Sequence, residues 1–451
     1  MQIFLAVLIL VALALLATDR RFYRLRRSKM ASALLTGGWI AVAAGFLLGE
    51  FGLGVISPDL LRETTPLLIV GLGWIGMMVG LQLKREVITA IPAAVRKLTL
   101  VDAALSLVVV GPAAALGVTM WTTAVRSGAE HGAELAKANA WPALFPAAVL
   151  LSAGAIGWSM ETRSQRVTGK TELGDKLALV VRYGGALSAV VAIAAYGIAD
   201  KFVVRVEQEA RFDVGFALAA AGLTVLLAVI AAIIGRFALS LAGSDRGQQL
   251  AVFLALVTFV AGIAAQTDLS PLFAAMLTGV VLTNLPSEHL DRFQRFILRA
   301  EHAVAVFFAL LAGLLINPLL HPYAVLLAVA IAVFRWLGKP AAAKLGLRRE
   351  RLGEPPELPP KSTLYVAAAR QSPIAMAMAV ALVADEWSEF HRQMLAVVLL
   401  IGLLSEIFPL IGSVGRRQAV SSGAVESPAG TVAADAARGR PEPQPRAGGA
   451  S

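Results

Sequence analysis

The sequence predicts an all-α integral membrane protein of about thirteen transmembrane helices, and three observations carry that expectation. The first is composition: 57% of the 451 residues are hydrophobic and only 16% charged, with a mean hydropathy of +0.73. A soluble domain averages roughly 45–50% apolar and 25% charged. The second is the recurrence of unbroken apolar runs of about 20 residues, the length a helix needs to cross a roughly 30 Å hydrocarbon layer. In lipid every backbone amide must be satisfied internally, so such runs form helices. The third is a one-sided distribution of Lys and Arg between alternate connections.

The runs fall at 2–17, 30–49, 64–83, 99–121, 142–160, 176–199, 213–235, 247–265, 270–285, 300–316, 321–341, 363–385 and 391–412. A signal peptide places its positive charges before the apolar stretch. Here the basic cluster from Arg20 to Lys29 follows it, so 2–17 reads as a retained first helix with its N-terminus outside. Outside the spans, only Arg62, Arg126, Lys137, Lys201, Arg205, Arg211 and Arg392 lie on the even-numbered connections. All other Lys and Arg sit on the odd side, which is therefore cytoplasmic. That sidedness accounts for the net charge of +10, so nothing points to a nucleic-acid partner. Residues 1–412 form the membrane domain on this pattern. Residues 413–451 are rich in Ala, Gly, Pro, Ser, Glu and Arg, which predicts a disordered cytoplasmic tail.

There is no cysteine, and the five histidines (His131, His289, His302, His321 and His391) show no metal-ligand spacing. The sequence thus gives no ground for an enzyme, a metal or a cofactor. Discrimination between functions must come from polar and helix-breaking residues at membrane depth, which are expensive there. Span five carries Ser152, Gly154 and Gly157 in mid-helix. Span twelve carries Arg370, Ser372 and Pro373, and a proline there kinks or opens a helix. Broken helices at corresponding positions of two halves mark the binding site of inverted-repeat transporters; ordinary small-residue packing is the alternative for span five. Arg182, Arg335, Lys339 and Arg370 are the four basic residues inside spans. Snorkelling to the cytoplasmic surface is open to the first three. Asp102 and Glu406 are carboxylates at depth, suited either to carrying a proton or cation or to neutralising a neighbouring arginine.

Several segments resemble the monovalent cation–proton antiporter superfamily, the bacterial sodium– and potassium–hydrogen exchangers. They are Gly45–Gly49 with Gly52-Leu53-Gly54, Met77–Leu83, Leu269–Gly279, Phe307–Leu314, Leu337-Gly338-Lys339-Pro340 and Ser405–Pro409. They run in the family's order along nearly the whole membrane region. The resemblance implies an inverted-repeat antiporter fold with two crossing broken helices, spans five and twelve. It also implies exchange of a monovalent cation, sodium or potassium, for protons, a homodimer, and a place in the bacterial inner membrane. A basic residue of span eleven, Lys339 or Arg335 one turn earlier, would face the ion site.

One departure stands against that function. The family places a carboxylate midway along span six, where this chain has Arg182-Tyr183-Gly184-Gly185-Ala186. A core holding Arg182, Lys339 and Arg370 without a carboxylate repels a cation by several kcal/mol at low effective dielectric (on the order of the interior pair energies). The residues therefore leave open a same-fold transporter of an anionic or neutral solute, and a transport-inactive sensor or scaffold. On them alone, no sodium- or potassium-driven proton flux is expected between about pH 5 and 9. An acidic group within about 5 Å of Lys339 would restore a cation site.

Overall fold

The computed structural model of the chain describes residues 38–90, 93–128, 140–156, 172–206, 209–243, 245–286, 301–346 and 372–423, together with Gln294 and Ile297. Its helices are α1 (Trp39–Leu48), α2 (Pro58–Glu63), α3 (Thr65–Leu81), α4 (Arg85–Ala90), α5 (Ala93–Leu105), α6 (Gly111–Gly128), α7 (Ala140–Ile156) and α8 (Glu172–Ala199). They continue with α9 (Val214–Ala242), α10 (Arg246–Gln266), α11 (Pro271–Asn284), α12 (Glu301–Leu315), α13 (Pro322–Gly346), α14 (Pro373–Asp385) and α15 (Glu389–Gly423). Every expected span from the second to the thirteenth contains an apolar helix. Six of these are long enough to cross a membrane and six are shorter. The first span lies outside the described residues. The chain divides into two compact units, Met1–Glu406 and Ile407–Ser451. Of the second, residues 407–423 are described and are helical, while the rest of the expected tail lies outside the described residues.

Three helices start at a Ser-Pro pair, and the chemistry of those starts is the same. Ser57, Ser270 and Ser372 are extended N-caps whose hydroxyls accept from the amides of Leu60, Phe273 and Ile374. The proline that follows needs no amide partner in a first turn. Pro373 thus opens α14 instead of kinking a helix through it. In span five, α7 is helical through Ser152 and Gly154 to Ile156, and the remainder of the expected break lies outside the described residues.

Span four holds a feature the span pattern did not contain. Between α5 and α6, residues Ser106–Val110 form a π-helical turn. Pro112 follows it, and a proline at that place cannot donate to the carbonyl four residues back, Val108, and crowds it. The wider turn accommodates that loss, and such bulges are common where helices serve a function. A second addition is a short hairpin, β1 (Val203–Val206) with β2 (Glu209–Phe212), antiparallel. It seats on α7 through Phe145, whose ring lies 5.2 Å from that of Phe212 and 6.5 Å from that of Phe202, both edge-on.

Close helix pairs hold the fold together, and small residues allow them. α3 packs against α11 and α1 against α12. At Gly76, Gly80 and Gly279 in the first pair, and at Gly45 and Gly313 in the second, an added Cβ would collide with the partner's backbone. Without a hydrophobic drive between helices in lipid, such backbone approach is a main source of association. Spans two and three correspond to nine and ten in an inverted repeat, so each pairing maps onto the other. On the even-connection side, Arg392 of α15 bridges Glu50 (3.0 Å) and the Leu315 carbonyl (3.1 Å). Arg62 donates to the Trp387 carbonyl at 3.4 Å. Among the helices of Met1–Glu406, α7 packs against α6, α8, α14 and the π turn, while α13 packs on α5, α6 and the same turn. This junction of spans four, five, eleven and twelve is where charge is buried.

Candidate functional site

The polar centre is assembled from residues of four helices, α5, α7, α13 and α15. Asp102 stands in the last turn of α5, Arg335 and Lys339 on one face of α13, and α7 ends beside them at Ile156. Asp102, Arg335 and Lys339 are at most 4% exposed. The Lys339 ammonium donates to Asp102 Oδ2 at 2.5 Å and to the Ile156 carbonyl at 3.3 Å. Arg335 Nε donates to the Ala155 carbonyl at 3.1 Å, and its Nη1 to Ser405 Oγ at 3.0 Å. Ser405 in turn donates to the Ile401 carbonyl at 2.7 Å. Asp102 and Glu406 both act electrostatically on Arg335, and Glu406 is itself buried.

The reason for this arrangement begins with α7. Two of its carbonyls, those of Ala155 and Ile156, accept from Arg335 and Lys339. Spacing by four residues puts those two side chains on one face of α13, so one stretch of α7 takes both. Neither side chain snorkels to a surface. A buried cation without a counter-charge costs several kcal/mol (of the order given for buried ions), and each has one here: Asp102 for Lys339, and Asp102 with Glu406 for Arg335. Asp102 thus lies within the roughly 5 Å of Lys339 that a cation site asks for, while Arg370 and the side chain of Arg182, the other charges of the expected positive core, lie outside the described residues.

Of the other expected site residues, Ser152 is buried on α7 and donates to the Ala148 carbonyl at 2.7 Å. Its hydroxyl faces Gly111 at the end of the π turn, where an added Cβ would lie 3.5 Å away. Gly154 is buried on α7, two residues before Ile156. Ser372 and Pro373 start α14, which packs on α7. Arg370 lies outside the described residues. Arg182 belongs to α8, but its side chain is outside them. Ser106, on the turn after Asp102, was not singled out by the sequence; the signal present was its spacing of four from Asp102 together with Gly111-Pro112.

Two comparisons place this geometry among known proteins. A family model described as "Sodium/hydrogen exchanger, transmembrane" matches residues 9–413. Among solved structures, the chain is similar to the sodium proton antiporter MjNhaP1 from Methanocaldococcus jannaschii, determined at pH 8. The TM-score is 0.60 at 13% identity, over 91% of this chain and 96% of that one. At that identity the likeness is one of fold. No curated protein matches the chain.

Proposed function

We propose that this chain, which belongs to the sodium/hydrogen exchanger transmembrane family, exchanges a monovalent cation for protons at Asp102, a carboxylate supplied by span four instead of span six. The observation that carries this is the buried contact between Lys339 and Asp102. Exchange needs one anionic group for which proton and cation compete, so that one is released as the other binds. Span six offers no Asp or Glu from Leu177 to Ala199. Asp102 supplies the charge from the neighbouring helix, against the same span-eleven lysine that the family resemblance points to. In the state without a bound cation, the Lys339 ammonium occupies the carboxylate. An arriving cation replaces it as Lys339 gives up its proton, so one proton leaves for each cation bound and the site holds no uncompensated charge, whose cost in a low-dielectric core would be several kcal/mol (the order for a broken buried pair).

Arg335, hydrogen-bonded to the Ala155 carbonyl and the Ser405 hydroxyl, ties α7 to α13 and α15. A carboxylate beside Lys339 favours the cation reading over the anionic-solute alternative, which draws on Arg182 and Arg370. Around this site we place a homodimer in a bacterial inner membrane, C-terminus cytoplasmic, with protons and sodium or potassium as its only substrates.

The test is transport by the purified full-length protein in liposomes. An outward sodium or potassium gradient should acidify or alkalinise the lumen in the sense of antiport, saturably, and choline should not substitute. Flux absent with every monovalent alkali cation between about pH 5 and 9, the range over which a carboxylate site stays competent, would overturn the proposal.

A further inference from the structure

Resting on the exchange function proposed above, we infer that the Ser106 hydroxyl is a direct ligand of the transported cation and sets its selectivity. Three observations place it there. Ser106 follows Asp102 by four residues, so their Cβ atoms lie about 5–6 Å apart on one helix face. It is 8% exposed and begins the π turn, against which both α7 and α13 pack. Its hydroxyl makes no hydrogen bond among the described residues. The buried helical hydroxyls of Ser152, Thr278 and Ser405 behave otherwise, each donating to the carbonyl one turn back, whereas that of Thr283, far from this site in sequence, also lacks a partner among the described residues. A hydroxyl left without such a bond keeps its oxygen lone pairs available to a ligand.

The Lys339 ammonium shows what the ligand would meet. It is itself a monovalent cation, held between Asp102 Oδ2 and the Ile156 carbonyl. An alkali cation entering in its place finds a carboxylate and a helix-end carbonyl already converging. Ser106 adds a third, neutral oxygen on the Asp102 side. Hard cations take such all-oxygen sets, and the number and field strength of the oxygens decide between sodium and potassium. A neutral hydroxyl is the member that can change selectivity without altering the charge on which proton competition depends.

The experiment compares Ser106→Ala and Ser106→Thr with the wild type in the liposome assay, titrating sodium, potassium and lithium separately. Ser106→Ala should raise KM for the preferred cation about tenfold, the worth of one hydrogen-bonding ligand to a charge. It should also change the sodium-to-potassium ratio of flux, and Ser106→Thr should restore both. If the alanine variant does not reach the membrane folded, Ser106→Cys, which keeps the shape but is a weak ligand, carries the same expectation. Wild-type exchange lost in Asp102→Asn, with KM and selectivity of the serine variants unchanged within about twofold (a few tenths of a kcal/mol), overturns this inference and leaves the exchange function standing. No wild-type exchange at all overturns both.

Discussion

Asp102→Asn is expected to lower cation-driven proton flux about hundredfold or more, because removing one member of a buried charge pair costs about 2–5 kcal/mol and each 1.4 is a factor of ten. Asn keeps the shape of the side chain and removes the charge for which proton and cation compete. It also leaves Lys339 buried beside a neutral amide, which destabilises the fold. The two consequences separate in the double variant Asp102→Asn with Lys339→Met. Replacing a buried ion pair by groups of similar volume is often neutral or stabilising by about 1–4 kcal/mol, so thermal stability should return. Transport should not. Recovery of flux together with stability would show that Asp102 serves only to neutralise Lys339.

Arg335→Met is the variant expected to harm the fold most, by about 3–5 kcal/mol, the range for breaking one side of a buried ion pair. Two effects add. The Ala155 carbonyl and Ser405 hydroxyl lose a donor, and Asp102 and Glu406 lose a counter-charge. Arg335→Lys keeps the charge without the planar fork that reaches α7 and α15 together, so it should recover part of the loss. Unfolding in mixed micelles measures both. A change below about 0.5 kcal/mol for Arg335→Met, the scatter of neutral substitutions, would remove Arg335 from its positioning role.

The helices were legible in the sequence because each span is a local fact: a run of apolar residues of fixed length, closed by charge. The Ser-Pro starts were not singled out, and Pro373, read as kinking or opening a helix, proves to be a first-turn residue. The four-residue spacing of Arg335 and Lys339 correctly put them on one face. What that face meets was not legible. Asp102 lies 237 residues from Lys339, and nothing local to span four says that its acidic face turns to span eleven. Reading Lys339 without that partner left it without a counter-charge. The hairpin at Val203–Phe212 was hidden because short alternating segments carry a far weaker signal than apolar spans. The continuity of α7 through Gly154 reflects burial: packed among α6, α8 and α14, the helix tolerates a glycine that would weaken it in water.

Equilibrium cation binding to the wild type and to Asp102→Asn, measured with radioactive sodium and rubidium, bears most directly on a span-four carboxylate as the exchange site. Protons and cations that share one carboxylate must exclude each other. Wild-type binding should therefore be saturable and weaken as pH falls, with one proton released per cation bound, and the Asn variant should bind neither ion. Undiminished, pH-dependent binding by Asp102→Asn would contradict the account and move the exchange site elsewhere in the chain.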